Sequence, residues 1–248
     1  MAEIKTTAPT TPIVTNDSDV VIQKAKGFWD RYSKPIMYLG GAVILLIGGW
    51  YGYQNFVKLP KENAANDLIF PAEGIFDKMA TTNFSKDSVN IVLNGGSLEG
   101  QKITGLLKVI SSYDGTSAAN RAKYMTGATY LQVKEFDKAI KYLKDFDANG
   151  ATQVEMMADK MIGDAYSELK KTDDALSYYK KSASVNEKDE AFTGSALMLA
   201  ASYAQAIGKN KEAIELYKKL KDKYPNNSSV SSGEVAKQLA SLGDLGDN

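Results

Sequence analysis

Residues 35–57 form an uncharged, mostly apolar run between Lys34 and Lys58, PIMYLGGAVILLIGGWYGYQNFV. An α-helix over this run would be about 35 Å long, enough to cross a hydrocarbon core of roughly 30 Å. The buried helix of a soluble core is the alternative, but such helices usually carry a polar stripe, and residues 36–49 carry none. The sequence therefore predicts a transmembrane helix over residues 35–57.

The run is expected to stay in the mature protein. A removable secretory signal has a short basic start, an apolar centre of about 7–15 residues and small residues at the cleavage site. Here the run begins only at residue 35 and ends in the bulky sequence GWYGYQNF. We therefore expect a retained single-pass anchor.

The charges that flank the run predict its orientation. More basic residues precede the run than follow it within about 20 residues: Lys24, Lys26, Arg31 and Lys34 lie before it, and Lys58 and Lys61 lie after it. Because lysine and arginine favour the cytoplasmic side, the sequence predicts a cytoplasmic N-terminus and an exported C-terminal domain. The difference is small, so cytoplasmic exposure of that domain stays open.

Three glycines of the run share one helical face. They are Gly41, Gly48 and Gly52, and the last two have the GxxxG spacing that lets a second transmembrane helix approach closely. The sequence predicts a helix-packing face here. Chance spacing in a glycine-rich span is the alternative.

Residues 18–34 have the pattern of an amphipathic helix. At 100° per residue their apolar side chains fall within an arc of about 120°: Val21, Ile22, Ala25, Phe28, Trp29 and Tyr32. The pattern predicts a helix that lies on the cytoplasmic membrane surface and contacts lipid. A ligand for a groove in a partner protein fits the same pattern. Residues 1–17 are rich in threonine and proline and are predicted to be a disordered cytoplasmic N-terminus.

The residue inventory excludes several kinds of chemistry. The chain has no cysteine and no histidine, which excludes thiol and imidazole nucleophile systems and histidine- or thiolate-based metal sites. Thirty basic residues balance thirty acidic ones, so nothing indicates nucleic-acid binding. The carboxylate clusters lack the spacing of a metal loop, and no phosphate-binding loop is present. We expect no catalytic residues, no metal, no cofactor and no small-molecule substrate.

One pattern recurs three times in the second half of the chain. Gly127 and Gly163 lie 36 residues apart, and so do Ala139 and Ala175, while Ala213 follows 38 residues after Ala175. Small residues on one helix allow a second helix to pack closely, and large residues fill the space between successive pairs. The pattern resembles the tetratricopeptide repeat. Its aromatic position is occupied by Tyr130 and Tyr166, but the third copy has Tyr203 one position early.

The resemblance implies an all-α fold: one N-terminal transmembrane helix, then a tetratricopeptide-repeat α-solenoid of about three recognisable repeats plus a capping helix. The repeat domain is expected over residues 118–243, after a linker and partial helical repeat over 58–117. Residues 89–97, VNIVLNGGS, are left unassigned. Ser231 with Glu234 predicts a capping box that opens a final helix, with Gly243 as its stop and residues 244–248 as a tail.

The concave face of such repeats is the candidate peptide-binding surface. The repeat alignment places seven residues on or near this face: Tyr124, Met125, Met157, Lys160, Met161, Asp164 and Met198. Methionine-lined surfaces can repack around varied apolar ligands. The alternative is that these methionines only fill the space between repeats.

The order of the parts adds a second resemblance. KGFWDRYSKPIMYLGGAVILLIGGWYGYQNF, with the repeats after it, is similar to the ancillary subunit of the bacterial Sec translocon. That family implies a type II single-span protein of the bacterial inner membrane with a periplasmic repeat domain. Its partners would be a SecYEG-type translocon and a membrane-anchored periplasmic chaperone, and it would be a non-enzymatic, chaperone-like scaffold.

Two other functions stay open at this stage. The chain could be a scaffold or assembly factor of another envelope complex, in the outer membrane or a secretion machine. It could also be an enzyme, or a regulator of an enzyme that acts through the same concave face.

Overall fold

The computed structural model describes residues 17–244, with side chains from Val20 onward. Apart from Asp17 and Asp244, the predicted disordered N-terminus and the tail therefore lie outside the described residues. The chain divides into two compact units, Met1–Leu59 and Pro60–Asn248, and each is described by itself.

The first unit contains helix α1, Asp17–Tyr53, followed by a π-helical turn, Gln54–Lys58. Helix α1 has Pro35 inside it, so the amphipathic segment and most of the apolar run share one helix. Pro35 removes one backbone donor without ending the helix, so helix α1 is continuous across the predicted boundary at residue 34. The assignments of these segments to the membrane surface and to a span stay predictions.

The apolar side chains of helix α1 are exposed, with Leu45 at 77% and Leu46 at 73%. The helical residues Val20–Thr81 include one stretch long and apolar enough to cross a membrane, and none of that stretch is buried. A Cβ atom added to Gly41, Gly48 or Gly52 would meet nothing within 4 Å in the described part of the chain. The packing role of these glycines stays a prediction.

The second unit is helical apart from one hairpin. Its elements are α2 Leu59–Thr81, α3 Lys86–Asn94, β1 Gly95–Leu98, β2 Gln101–Thr104, α4 Leu106–Ser112, α5 Ser117–Gln132, α6 Phe136–Lys144, α7 Thr152–Glu168, α8 Thr172–Ser182, α9 Glu190–Ala206, α10 Asn210–Lys223, α11 Ser228–Ser231 and α12 Glu234–Ser241. Helix α2 has Leu59 as its first residue, which belongs to the first unit. The all-α expectation is confirmed, with the hairpin as a small addition.

The hairpin accounts for part of the segment that the sequence left unassigned. Strands β1 and β2 are antiparallel, with Gly95 opposite Thr104 and Leu98 opposite Gln101. Glu99 and Gly100 between them both have positive φ, 52° and 81°, which suits the twist of a two-residue hairpin loop. Position 95 also has no room for a side chain, because a Cβ atom there would lie 2.8 Å from the carbonyl oxygen of Ile103.

Three helix pairs follow one another, α5 with α6, α7 with α8 and α9 with α10, and successive pairs are in contact. Each pair sets a small residue on its first helix against a large one on its second. A Cβ on Gly127 would lie 2.5 Å from Leu143 Cγ, and a Cβ on Gly163 would lie 2.7 Å from Tyr179 Cε1. This is the close packing that the repeat pattern predicts.

The turn inside each pair has one residue in the left-handed region. Lys134, Lys170 and Gly208 hold this position, with φ of 64°, 61° and 77°. The following amide in each turn bonds a carbonyl five residues earlier, as Lys171 does to Tyr166 at 3.0 Å. The three turns therefore have the same geometry, but only one uses the residue type that adopts it without strain.

The core of the first repeat continues across the predicted boundary at residue 118. Ala65, Ile69 and Ala72 of α2 are fully buried and join a hydrophobic cluster with Val109 of α4 and Ala122 of α5. Helix α2 therefore packs against the first helix pair, within the span assigned to a linker and partial helical repeat.

The final helix packs as predicted but begins differently. Val235 and Leu239 of α12 are buried against α9 and α10 residues, as a capping helix requires. Ser231 instead ends α11, and Gly233, with φ 80°, is the residue before α12. The predicted capping box is wrong because a left-handed turn separates the two short helices.

Candidate protein-binding groove

The seven residues predicted to bind peptide differ in their exposure. Met125 is only 6% exposed and belongs to the core cluster of α2–α5, and it also lines the larger cavity described below. Met161 and Met198 are partly buried, and each packs against a core cluster that joins residues of successive helix pairs. Met157, at 44%, is the methionine of this set with a largely exposed side chain. Tyr124 is half-buried.

Lys160 and Asp164 are held in a small network on helix α7. Lys160 Nζ lies 2.8 Å from Asp164 Oδ2, and the Tyr179 hydroxyl donates to Asp164 Oδ1 at 2.8 Å. Burial and the neighbouring Asp164 charge raise the pKa of Tyr179 above its ordinary value. Both carboxylate oxygens are thus engaged within the protein, and Asp164 positions Tyr179 rather than presenting a free charge.

A cavity of about 730 Å³ lies beside Tyr124. Its walls come from α2, α5, the α6–α7 loop and the start of α7: Glu73, Phe76, Asp77, Arg121, Tyr124, Phe146 and Val154 among others. The Tyr124 and Phe146 rings are 5.2 Å apart, centroid to centroid, and form an aromatic wall. We call this cavity the groove. It offers apolar and aromatic surface with charged residues at its α2 side.

Polar contacts hold helix α2 against helix α5 along the groove. Arg121 Nε lies 2.8 Å from Glu73 Oε1, and Arg121 Nη2 donates to Asn66 Oδ1 at 3.1 Å. Glu62 accepts the Ser117 amide with both oxygens, at 2.9 and 3.0 Å. Burial alone would raise the pKa of Glu62, but these hydrogen bonds outweigh it and lower the pKa. The α2 wall is therefore fixed, as a preformed site requires.

The α6–α7 loop is fixed from helix α5 as well. The Asn120 side-chain amide donates to the Asp147 carbonyl oxygen at 2.6 Å and accepts the Asp147 amide at 2.9 Å. This two-bond clamp holds Phe146 in place against Tyr124. Asn120 itself lines the groove.

A second, smaller cavity of about 290 Å³ lies on the same loop. Helices α6, α7 and α8 supply its remaining walls, including Lys144, Glu155, Asp159, Tyr178 and Lys181. Asp159 is buried, and Lys181 Nζ lies 2.9 Å from its Oδ1. Burial raises the pKa of the Asp159 carboxyl, and Lys181 only partly opposes this.

Within residues 17–244, no three potential ligands from histidine, cysteine, aspartate and glutamate come together to hold a metal ion. The groove walls carry aromatic, aliphatic and paired charged groups. Such an arrangement can bind a chain segment.

Comparison with protein families locates the repeats. Two models described as the tetratricopeptide repeat match, one over residues 161–189 and the other over 195–227. The C-terminal region contains tetratricopeptide repeats. These two tetratricopeptide repeats correspond to the helix pairs α7–α8 and α9–α10, while the α5–α6 pair has the same geometry outside the matched residues. The chain matches no curated protein.

Sequence reasoning missed the α2 side of the groove. Glu73, Phe76 and Asp77 lie in a segment that the sequence predicted to be a linker and partial repeat, outside the repeat alignment. The available signal was the spacing of Ala65, Ile69 and Ala72, which places three apolar residues on one helical face and indicates a packed helix.

Proposed function

We propose that the protein is a non-enzymatic, membrane-anchored scaffold that binds other proteins through the groove between helices α2 and α5. The observation that carries this proposal is the preformed aromatic groove beside tetratricopeptide repeats, with Tyr124 and Phe146 held by neighbouring clamps. Apolar cavities with a few placed polar groups are the usual form of binding sites. Met157 is a further exposed apolar side chain on helix α7, outside the groove lining.

We further propose that the chain is an ancillary subunit of a Sec-type translocon in the bacterial inner membrane, with a cytoplasmic N-terminus and a periplasmic repeat domain. The order of the parts and the loose pattern around the apolar run support this. The flanking lysines and arginine support the orientation. Its partners would be the translocon and a membrane-anchored periplasmic chaperone, with Gly41, Gly48 and Gly52 as the face that meets a partner helix in the membrane.

Site-specific photocrosslinking in native membranes tests the groove. A photoreactive phenylalanine analogue replaces Tyr124 on the groove wall, or Tyr142 in a control, because Tyr142 stacks on Tyr130 and does not line the groove. We expect crosslinks to translocon or periplasmic-chaperone components from position 124 and not from position 142. Equal crosslinking from both positions, or none from position 124, would contradict groove binding.

The identity of the crosslinked proteins separates the two scaffold functions. Components of an outer-membrane or secretion assembly in place of the translocon would favour the alternative envelope scaffold. Replacing Gly41, Gly48 and Gly52 by leucine should preserve insertion but reduce co-purification with the translocon in mild detergent. Unchanged co-purification would mean that the three glycines do not bind a partner helix and that the apolar run only anchors the protein.

The orientation has its own test. A protease added from the periplasmic side should digest the domain over residues 58–248 and leave the N-terminal segment intact. Protection of that domain would reverse the predicted topology.

A further inference from the structure

The smaller cavity, which shares the α6–α7 loop with the groove, contains a carboxylate that the protein satisfies only in part. The Asp159 side chain is 4% exposed, and its Oδ1 is paired with Lys181 at 2.9 Å. Its Oδ2 is buried and has no hydrogen-bond partner among the residues that the structure describes. A buried carboxylate oxygen without a partner is costly, so a further donor in this cavity would stabilise the site.

The acidic groups of the cavity have shorter side chains than Lys181, the basic group that pairs with Asp159. Asp159 and Glu155 lie one turn apart on helix α7 and have short side chains that keep them at the cavity wall. Lys181 has a long flexible stem, and its side chain is 56% exposed, so it can turn into solvent. A cation that enters the cavity can therefore take the place of Lys181 beside Asp159.

The Tyr178 ring indicates which kind of cation would bind in the smaller cavity. Tyr178 lines the cavity, and both Lys144 Nζ and Lys181 Nζ lie near its ring, 5.3 and 5.8 Å from the centroid. Cations are thus already drawn to this ring. A guanidinium group is planar, can pair with carboxylates through two parallel hydrogen bonds, and stacks on aromatic faces, whereas an ammonium group acts as a point charge.

The size of the cavity favours a single side chain. At about 290 Å³ it lies just below the range for drug-sized ligands, roughly 300–1,000 Å³. We propose that this cavity binds one arginine side chain of a partner protein, with the guanidinium group against Asp159 and Glu155 and beside the Tyr178 ring. Rotation about the Cβ–Cγ bond of Asp159 can present either carboxylate oxygen to the ligand.

The test uses the full chain in detergent micelles and does not depend on what occupies the groove. Nα-acetyl-arginine amide is titrated into ¹⁵N-labelled protein, and the citrulline analogue, a neutral molecule of nearly the same shape, is the matched control. We expect saturable shifts of backbone amides over residues 146–150 and 155–162, with at least tenfold weaker binding of the citrulline analogue. Absence of saturable shifts, or equal binding of the two probes, overturns the proposal.

Two variants test the roles of the charges. Asp159→Asn should weaken arginine-amide binding at least tenfold, while Asp174→Asn, on an exposed part of α8, should leave it unchanged. Lys181→Gln should strengthen binding at least threefold, because it removes the internal competitor. A purely structural ion pair predicts the opposite, so weaker binding by Lys181→Gln in a folded protein contradicts the proposal. If Asp159→Asn does not fold, the comparison of the arginine and citrulline probes and the result for Lys181→Gln still test whether the cavity binds arginine.

Discussion

Gly163 on helix α7 faces Tyr179 on helix α8 with no room for a methyl group. A Cβ at Gly163 would lie 2.7 Å from Tyr179 Cε1 and 2.8 Å from Cδ1. Carbon atoms in favourable contact are about 3.5–4.0 Å apart. The ring cannot easily move away, because it is 4% exposed and its hydroxyl bonds Asp164. In Gly163→Ala, helices α7 and α8 must therefore separate.

Two opposing effects set the magnitude. Alanine in a helix interior is favoured over glycine by about 1 kcal/mol. Overpacking a tight core contact costs roughly 1–3 kcal/mol, and the restrained ring places this contact in the upper part of that range. We expect a net destabilisation of about 1–2 kcal/mol. Ala201 holds the equivalent position in the third repeat, in the same core cluster as Tyr217, so the cost reflects the spacing of the α7–α8 pair rather than a general need for glycine.

Gly74→Ala is the matched control, since Gly74 lies inside helix α2 and a Cβ there would meet nothing within 4 Å. Thermal unfolding of the full chain in detergent, followed by far-ultraviolet circular dichroism, measures both variants. Gly163→Ala should lower the Tm by roughly 2–8 °C, whereas Gly74→Ala should raise it. Shifts in the same direction for the two variants would refute the packing argument.

Two further predictions concern single side chains. Lys170→Gly should stabilise the protein by about 0.5 kcal/mol, because Lys170 has φ 61° and glycine adopts that region without strain; an unchanged or lower Tm would contradict this. Lys219 and Lys223 contact Glu187 at 2.8 and 3.0 Å and lower its pKa to about 2. The ionised Glu187 side chain therefore stabilises the fold at a pH above its ordinary pKa of 4.5, and this stabilisation is lost as the pH falls towards about 2. The Tm of Glu187→Gln should accordingly vary less between pH 4.5 and pH 2 than the Tm of the unchanged protein.

The repeats could be predicted from the sequence because their packing is set by neighbours about sixteen residues apart, within one helix pair. Gly127 and Leu143, and Gly163 and Tyr179, are such partners, and their spacing is visible in the chain. The left-handed turns were not predicted at Lys134 and Lys170, since lysine gives no local signal for positive φ.

The hairpin and the groove depend on contacts that no local pattern indicates. Strand β1 begins with two glycines, which disfavour a strand by propensity, and forms only because β2 pairs with it. The groove requires Arg121 to meet Glu73, forty-eight residues earlier in the chain. A periodicity search over the repeats includes only one of these two partners, so the α2 wall could not be predicted from it.

Equivalent positions in the repeats separate what is shared from what is specific. Gly127, Gly163 and Ala201 are all small, whereas Tyr124, Lys160 and Met198, three residues before each, are an aromatic, a cation and a thioether. Packing positions repeat because every helix pair must solve the same steric problem. Surface positions have no such steric constraint, so the differences among Tyr124, Lys160 and Met198 indicate where each repeat can bind a ligand. The aromatic member lies in the groove and the cation is bound to Asp164, which is why an apolar ligand is expected at the first repeat rather than evenly along the array.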